Sequence, residues 1–460
     1  MKLGQELRKP LSIYEKLRGK MRIDEIADIL YELYLLKLFD EHAKAKHYEV
    51  LEKIGLDIAL FNDSNFENLT YEELKAIINK IKESPLLEDI FVSLDHYESC
   101  PIDDELFKEL MTAIQQIEFA SALEKDKQSG SHEVGEAFLE LIEKARQAQG
   151  KGADGITPIS LRKLISGLNS KMNTTEIYDP VIGTGSLAIQ VAVQNNIKTV
   201  FGQEIMPQAV RICKILLIAY GLVESAAYIK QGDTLINPLH VEENTLCKFK
   251  SIVAILPFGM TIEDRESIKN DPYKRYPERF TMRSGEMLFI YHILESLDKE
   301  GMASVLVSNG ILFRGGPEGE MRQQLLKDNY IDCVIQLPGK MLEHTAIPTT
   351  LIVFKKKRNR SDILFIDLAG EVDKISKLTT QLSEETIEKT CELYHNYQNS
   401  HISQIVSIDE ILGNDSNLNV KRYVIQEEEK QINLEKVTDT IEQLEKELTA
   451  IQAKIREKLR

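Results

Sequence analysis

Apolar residues recur at helical spacing from about Met21 to Leu123, most clearly in "RIDEIADILYELYLLKLFDEH" and "DDELFKELMTAIQQIEFASAL". One face of each segment is therefore suited to burial as an α-helix. "EKDKQSGSHEVG" and then "AQGKGADG" are polar and glycine-bearing, which predicts a flexible passage and a boundary near residue 150. Beyond it the pattern changes. The β-rich runs "EIYDPVIG", "TVFGQEI", "AAYIKQGD", "SIVAILPF", "MASVLVSNG", "DCVIQLP", "TTLIVFKK" and "DILFIDL" alternate with helical segments as far as about Leu368. That alternation predicts a mostly parallel sheet with helices on both faces, an α/β fold. After "SKLTTQLSEETIEKTCELYHNYQ" and a polar loop, Val437, Ile441, Leu444, Leu448, Ile451 and Ile455 follow at alternating spacings of four and three. They form one seam of a helix that needs a partner helix. The expected division is a helical N-terminal domain over 1–150, an α/β domain over 151–375, and a C-terminal helical region over 376–460 ending in a coiled-coil helix.

A chain of 460 residues exceeds one ordinary core and fits two or three domains. Its 43% hydrophobic and 28% charged residues are those of a globular protein. The five cysteines show no paired spacing for a zinc site or a disulfide framework, which points to a reducing interior and to no metal. No signal-peptide core and no run of roughly eighteen apolar residues appears, so the expected location is cytoplasmic, with no membrane contact. The net charge of −16, from 57 basic and 73 acidic residues, argues against gripping nucleic acid through a generally basic surface. If DNA is the substrate, a partner supplies much of the grip.

The candidate chemistry starts at "EIYDPVIGTGSLAIQVA", a strand, a Gly183-x-Gly185 turn and a helix start. Such a turn brings backbone N–H groups close to a nucleotide-like ligand. Taken alone, it equally describes a tight turn that binds nothing, or the loop of a nicotinamide-dependent dehydrogenase. Glu204 ends the next β-run about twenty residues on, where an acidic side chain accepts from ribose hydroxyls. Asp233 in "QGDTL" follows at the next strand end, a position that also suits a helix N-cap. Three polar groups at successive strand ends converge on the crevice where open α/β sheets bind ligands.

These motifs, in this order, resemble the modification subunit of type I restriction–modification systems, an S-adenosylmethionine-dependent DNA adenine methyltransferase. "LRGKMRIDEIADILYELYLLKLFD" is similar to that family's helical N-terminal segment and "GADGITPISLRKLI" to its Thr-Pro segment. "YDPVIGTGS", "GQEIMPQAVRICKILLIAYGL", "GDTL", "YPERF", "GMASVLVSNGILFRGGPEGEMRQQLL" and "VIQLPGKMLEHTAIPTTLIVFKKK" continue it. The resemblance implies a Rossmann-like methyltransferase sheet with S-adenosylmethionine as cofactor. By position, Thr157 and Pro158 would line its methionine end, and Asp179, Gly183 and Gly185 would form the cofactor loop. Glu204 would hold the ribose and Asp233 the adenine ring. The implied partners are a DNA-recognition (specificity) subunit reached through the C-terminal helix, DNA mainly through the complex, and a second copy of the methyltransferase subunit.

The resemblance also locates a departure. The family's catalytic tetrapeptide, of the form Asn-Pro-Pro-Phe, falls on Ile255-Leu256-Pro257-Phe258 in "AILPFG". A flipped adenine must be read and stacked in a pocket, and in the family the Asn or Asp side chain and a neighbouring carbonyl accept its two amine hydrogens. Ile255 has no acceptor, while the Leu256 carbonyl could still accept one bond and the Phe258 ring could still stack on a base. Asn237-Pro238 in "LINPLH" is the nearest imitation but precedes the expected strand and reads as a turn. The segment "TIEDRESIKNDPYKRYPERFTMRSG" is long enough for a lid. Its Arg265, Lys269, Lys274, Arg275, Arg279 and Arg283, and the run "KKKRNR" at 355–360, could meet phosphate or simply face water. The leading expectation is a catalytically impaired methyltransferase subunit. The alternatives are an active adenine methyltransferase with the acceptor supplied elsewhere, and a non-catalytic cofactor-binding scaffold.

Overall fold

The computed structural model describes Leu3 and residues 23–61, 69–92, 104–148, 156–262, 264–277, 285–342, 348–374 and 380–424. The N-terminal part is helical: α1 Ile23–Lys44, α2 Tyr48–Lys53, α3 Tyr71–Ile81, α4 Asp104–Gln115, α5 Ala120–Ser129 and α6 Glu133–Ala148. Local chemistry sets the boundaries. Thr70 accepts from the Glu73 N–H while the Glu73 carboxylate accepts from the Thr70 N–H, a reciprocal cap that starts α3. The expected flexible passage around "EKDKQSGSHEVG" is instead helix–turn–helix. Gly130 ends α5 in the left-handed region at φ 63°, and Asp126 turns back to accept from the N–H groups of Glu133 and Val134 at the start of α6. Polar composition indicated exposure there, and the cap converts it into order.

The nine-stranded sheet contains β1 Glu176–Asp179, β2 Thr199–Glu204, β3 Ile229–Gln231, β4 Phe249–Ile255, β5 Leu297–Ser308, β6 Ile331–Gln336, β7 Thr349–Lys355, β8 Asp362–Asp367 and β9 Ser403–Ser407. Its order is β9-β8-β6-β7-β5-β4-β1-β2-β3. Strands β3, β2, β1, β4 and β5 pair in parallel, β7 lies antiparallel between β5 and β6, and β9 is antiparallel to β8. All eight expected β-runs form strands. The ninth, "SQIVS", lies beyond the expected limit of the α/β domain at 375, so the sheet-bearing unit runs further along the chain than its β-rich pattern indicated.

The linking helices are α7 Ile159–Asn169, α8 Ser186–Gln194, α9 Pro207–Ala219, α10 Arg265–Lys269, α11 Gly285–Ser296, α12 Pro317–Lys327, α13 Glu384–Asn396 and α14 Ile408–Gly413. Alternation along each strand sorts side chains to two cores. Val253 of β4 faces the core that holds α7, α8, α9 and α13, whereas Ile252 and Ala254 face the core that holds α11, α12 and α14. The first of these cores also contains Leu33, Leu36 and Phe39 of α1 and Phe138 and Ile142 of α6. The helical segment and the sheet therefore share one apolar interior. Charges register the junction: the α9 residues Arg211 and Lys214, both largely buried, pair with Asp28 and Asp89 respectively. The heptad seam Val437 to Ile455 lies outside the described residues.

The junction is tight at Gly135 of α6, where an added Cβ would lie 2.3 Å from the Tyr220 ring just past α9. Gly135→Ala should overpack the contact and cost about 1–3 kcal/mol. Urea unfolding of the full chain would show it as a lower midpoint at unchanged slope.

Candidate functional site

The parallel pairing of β2, β1 and β4 sets their C-terminal ends side by side, through registers such as Asp179↔Gly202 and Tyr178↔Ile252. Asp179 ends β1, Glu204 ends β2, Asp233 follows β3 and Ile255 ends β4. The turn after β1 folds because Gly183 and Gly185 take φ of 55° and 81°, which L side chains rarely adopt. A Cβ on Gly185 would also lie 2.6 Å from the Cys213 sulfur of α9. The turn can approach β2 closely because Gly202 has no side chain, since a Cβ there would sit 2.4 Å from Ile182. The loop is thus pressed onto its neighbour, and α8 starts directly after it.

Glu204 is tied to that loop. One carboxylate oxygen accepts from the Gly183 N–H at 3.0 Å and the other from the Met206 N–H at 2.9 Å. A carboxylate offers about four acceptor sites, so capacity for a hydroxyl donor remains. The Asp233 carboxylate accepts from Leu235 N–H at 2.8 Å, forming its own turn, and Thr234 Oγ1 donates to the Pro180 carbonyl at 2.6 Å. Thr157 N–H donates to Ser186 Oγ at 3.0 Å, which places Thr157 and Pro158 beside the start of α8. All seven expected cofactor-side residues thus lie on or beside the segments that form this crevice. Ile205, Met206 and Ile236, next in the chain to Glu204 and near Asp233, are large apolar side chains left exposed.

Asp179 is buried and accepts from Val181 N–H at 3.0 Å. Burial pushes its carboxyl up to about 8, the Val181 bond opposes that, and the Glu204 charge adds to it. A buried carboxyl with this surplus acceptor capacity suits a ligand bearing N–H donors or positive charge.

At the end of β4 the two apolar side chains do not stand in the open. Ile255 is partly buried against the first core and Leu256 is 1% exposed in the second, while Pro257 and Gly259 are exposed and Phe258 is 37% exposed. Leu256 N–H continues the pairing to the Leu306 carbonyl at 3.1 Å. Asn237-Pro238 is a turn, with the Asn237 N–H bonded to the Asp233 carbonyl. Several of the cations expected to be free are engaged. Lys355 and Arg358 pair with Asp332, Lys357 pairs with Glu300, and Arg360 stacks on Tyr397. Arg275 is buried and bonded to Asp271 and to the Thr234 and Leu235 carbonyls. His292, Tyr178 and Glu286 are buried polar groups near the site that the sequence did not single out. A lone histidine inside the apolar helix "MLFIYHILESL" was the available signal.

With this geometry in view, the similarities of the chain decide its family. The N-6 DNA methylase family model matches residues 129–432. The chain belongs to the N-6 DNA methylase family. It is 27% identical over 376 residues to the type I restriction enzyme MpnII methylase subunit of Mycoplasma pneumoniae, covering 77% of this chain and 68% of that one. It is 29% identical over 332 residues to the MjaVIII methylase subunit of Methanocaldococcus jannaschii, covering 68% of this chain and 57% of that one. In structure it is similar to the type I restriction–modification methyltransferase subunit of Streptococcus thermophilus, with TM-score 0.77 and 23% identity, over 92% of this chain and 99% of that one. The family match and the structural similarity thus agree on the fold. Among the described residues, no group of three or more His, Cys, Asp or Glu is placed to hold a metal ion, and no helix is long and apolar enough to cross a membrane.

The raised carboxyl of Asp179 sets a pH dependence. Its folded value of about 8 lies above the ordinary 3.8, so the folded state holds a proton that the unfolded chain releases. Stability is full below about pH 4 for this group and falls as pH rises towards 8, by up to about 1.4 kcal/mol per pH unit. Asp179→Asn should flatten that fall. Thermal melting of the ligand-free protein between about pH 6 and 8.5 would show a smaller drop in the variant than in the parent.

Proposed function

We propose that this N-6 methylase chain binds S-adenosylmethionine and serves as the modification subunit of a type I restriction–modification complex, with methyl transfer to adenine lost or strongly reduced. The observation that carries the reading is the contrast between the two halves of one crevice. On the cofactor side, Asp179, Gly183, Gly185, Glu204 and Asp233 sit on successive strand ends. On the base side, an aliphatic Ile255 occupies the position where an acceptor is needed.

The residues present fit the cofactor. The N–H groups at the start of α8 would suit a carboxylate, Glu204 has acceptor sites left for ribose hydroxyls, and Asp233 would accept from the adenine ring. Thr157 and Pro158 would line the methionine end. Bound S-adenosylmethionine supplies an electrophilic methyl group. A methyl acceptor on the base side would be an adenine amine, whose nitrogen becomes nucleophilic as its hydrogens are held by acceptors. The Leu256 carbonyl provides one acceptor and Phe258 a stacking surface, but Ile255 provides none. Loss of one preorganised polar contact to a transition state costs about a hundred- to a thousand-fold in rate, by analogy with an oxyanion-hole donor. Glu286 is the buried carboxylate close by, since Gly285 N–H bonds to the Met260 carbonyl. Its two oxygens each accept one bond from Ser308, at 2.7 Å from N–H and 2.8 Å from Oγ, which hold it against the end of β5. A replacement from residues 278–284 or from a partner is the second reading, and an assembly that binds no DNA would favour the scaffold reading.

Calorimetry should show S-adenosylmethionine binding that Glu204→Ala weakens, while the purified complex labels a cognate duplex slowly or not at all. Ile255→Asn combined with Leu256→Pro should raise the rate by about a hundredfold. Labelling by the unmodified chain at the pace of ordinary family members would overturn impairment, and absence of binding heat would overturn the cofactor assignment.

The partner reading rests on the acidic chain and on the seam from Val437 to Ile455. Six aliphatic side chains at about 1.5–3 kcal/mol each favour docking before the cost of association. Leu444→Glu with Leu448→Glu should release a DNA-recognition subunit in size-exclusion chromatography and leave the melting of the isolated chain unchanged. Unfolding of the isolated chain would instead place the seam in its own interior.

A further inference from the structure

A closed circuit of buried polar contacts joins the cofactor-side loop to the segment after the tetrapeptide. Arg275, whose side chain is 0% exposed, pairs with Asp271 at 2.8 Å. Its Nη1 donates to the Thr234 carbonyl at 2.8 Å and its Nη2 to the Leu235 carbonyl at 2.7 Å. The adjacent Tyr276 hydroxyl donates to the Leu235 carbonyl at 3.1 Å, and the guanidinium carbon lies 4.7 Å from the centre of the Tyr276 ring. Arg275 Nη1 also lies 3.1 Å from Nδ1 of His292, on α11, and Nε2 of His292 lies 3.0 Å from the Tyr178 hydroxyl on β1. Thr234 Oγ1 closes the circuit on the Pro180 carbonyl.

The chemistry fixes the protonation pattern. A guanidinium has donors only, so Nδ1 of His292 accepts, and the ring proton sits on Nε2 and is donated to the Tyr178 oxygen. Burial and the Arg275 charge beside it hold His292 neutral. Every partner is therefore directional, and the guanidinium fork holds two successive carbonyls of the Asp233 turn at once. A loop tethered only by apolar contact could slide, whereas this fork fixes position as well as proximity.

Resting on the S-adenosylmethionine reading, we propose that Arg275 and His292 are positioning residues: they hold the Asp233 turn in place for the cofactor and transmit its occupancy to residues 271–276 behind the base-side loop. Cofactor and base sites are then coupled through a rigid buried contact, by residues that need touch neither ligand.

Amide hydrogen exchange on the full chain, with and without saturating S-adenosylmethionine, tests this. Ligand should slow exchange at 234–236 and at 271–276 together, each by at least about fivefold. Arg275→Lys keeps the charge beside Asp271 and removes the fork, so it should retain slowing at 234–236 and lose it at 271–276. If that variant does not fold, His292→Gln decides: it leaves the fork on the two carbonyls, so slowing should persist in both segments, and its loss at 271–276 alone would overturn transmission through the fork. The ¹⁵N spectrum of the parent should show His292 as the Nε2–H tautomer. Binding that leaves 271–276 unchanged in the parent, a folded Arg275→Lys with full slowing in both segments, or an Nδ1–H tautomer would overturn the coupling alone. Calorimetry showing no binding would overturn the functional reading and the coupling with it.

Discussion

Parallel pairing of β3, β2, β1 and β4 is the constraint on which the site depends. Parallel strands all end at the same edge, so each strand-to-helix connection delivers its first polar residue to one line. Asp179, Glu204, Asp233 and Ile255 are separated by more than twenty residues at each step and yet share that edge. The pairing holds only if adjacent connections approach closely, and Gly202 and Gly185 permit this at the two points where a Cβ would strike Ile182 and Cys213. A glycine that binds nothing is in this sense as necessary to the crevice as a carboxylate that does.

The same edge is braced from behind. The helical N-terminal segment shares an apolar interior with α9, and buried pairs such as Arg211 with Asp28 fix its register. A buried ion pair contributes little net stability over an apolar contact of equal size, but losing one partner is costly. Such pairs therefore select one docking geometry over others. Helix α9 begins directly after the Glu204 turn, so the orientation of the helical segment bears on the cofactor side of the crevice.

Much of this was legible in the chain, and the limits have physical causes. Strands β6, β7 and β8 announced themselves because strands buried on both faces are continuous apolar runs, and the others through the turn residues that bound them. The ninth, Ser403–Ser407, is an edge strand with partly polar faces, and nothing local distinguishes it from a loop. The Asp126 cap was unreadable because its partners, Glu133 and Val134, lie across a turn inside a polar stretch whose composition suggested flexibility. At the site, the acidic residues at strand ends could be placed because their spacing follows from strand and helix lengths. Arg275 could not: an arginine in a charged, tyrosine-rich segment looks solvated until the fold sets Thr234, Leu235 and His292 around it.

The tetrapeptide shows how fold and chemistry separate. Leu256 is accommodated in the second core and Ile255 against the first, so both replacements are compatible with a stable strand end. An acceptor at position 255 would instead have to be kept hydrated or bonded at a partly buried site, at a cost of about 1–3 kcal/mol when unpaired. The aliphatic side chains at 255 and 256 carry no such cost. The cofactor side faces no such choice, since Glu204 and Asp233 satisfy their carboxylates on backbone N–H groups of the turns they stabilise. Those carboxylates are satisfied within the fold itself, whereas an acceptor at 255 would depend on a bound group to satisfy it.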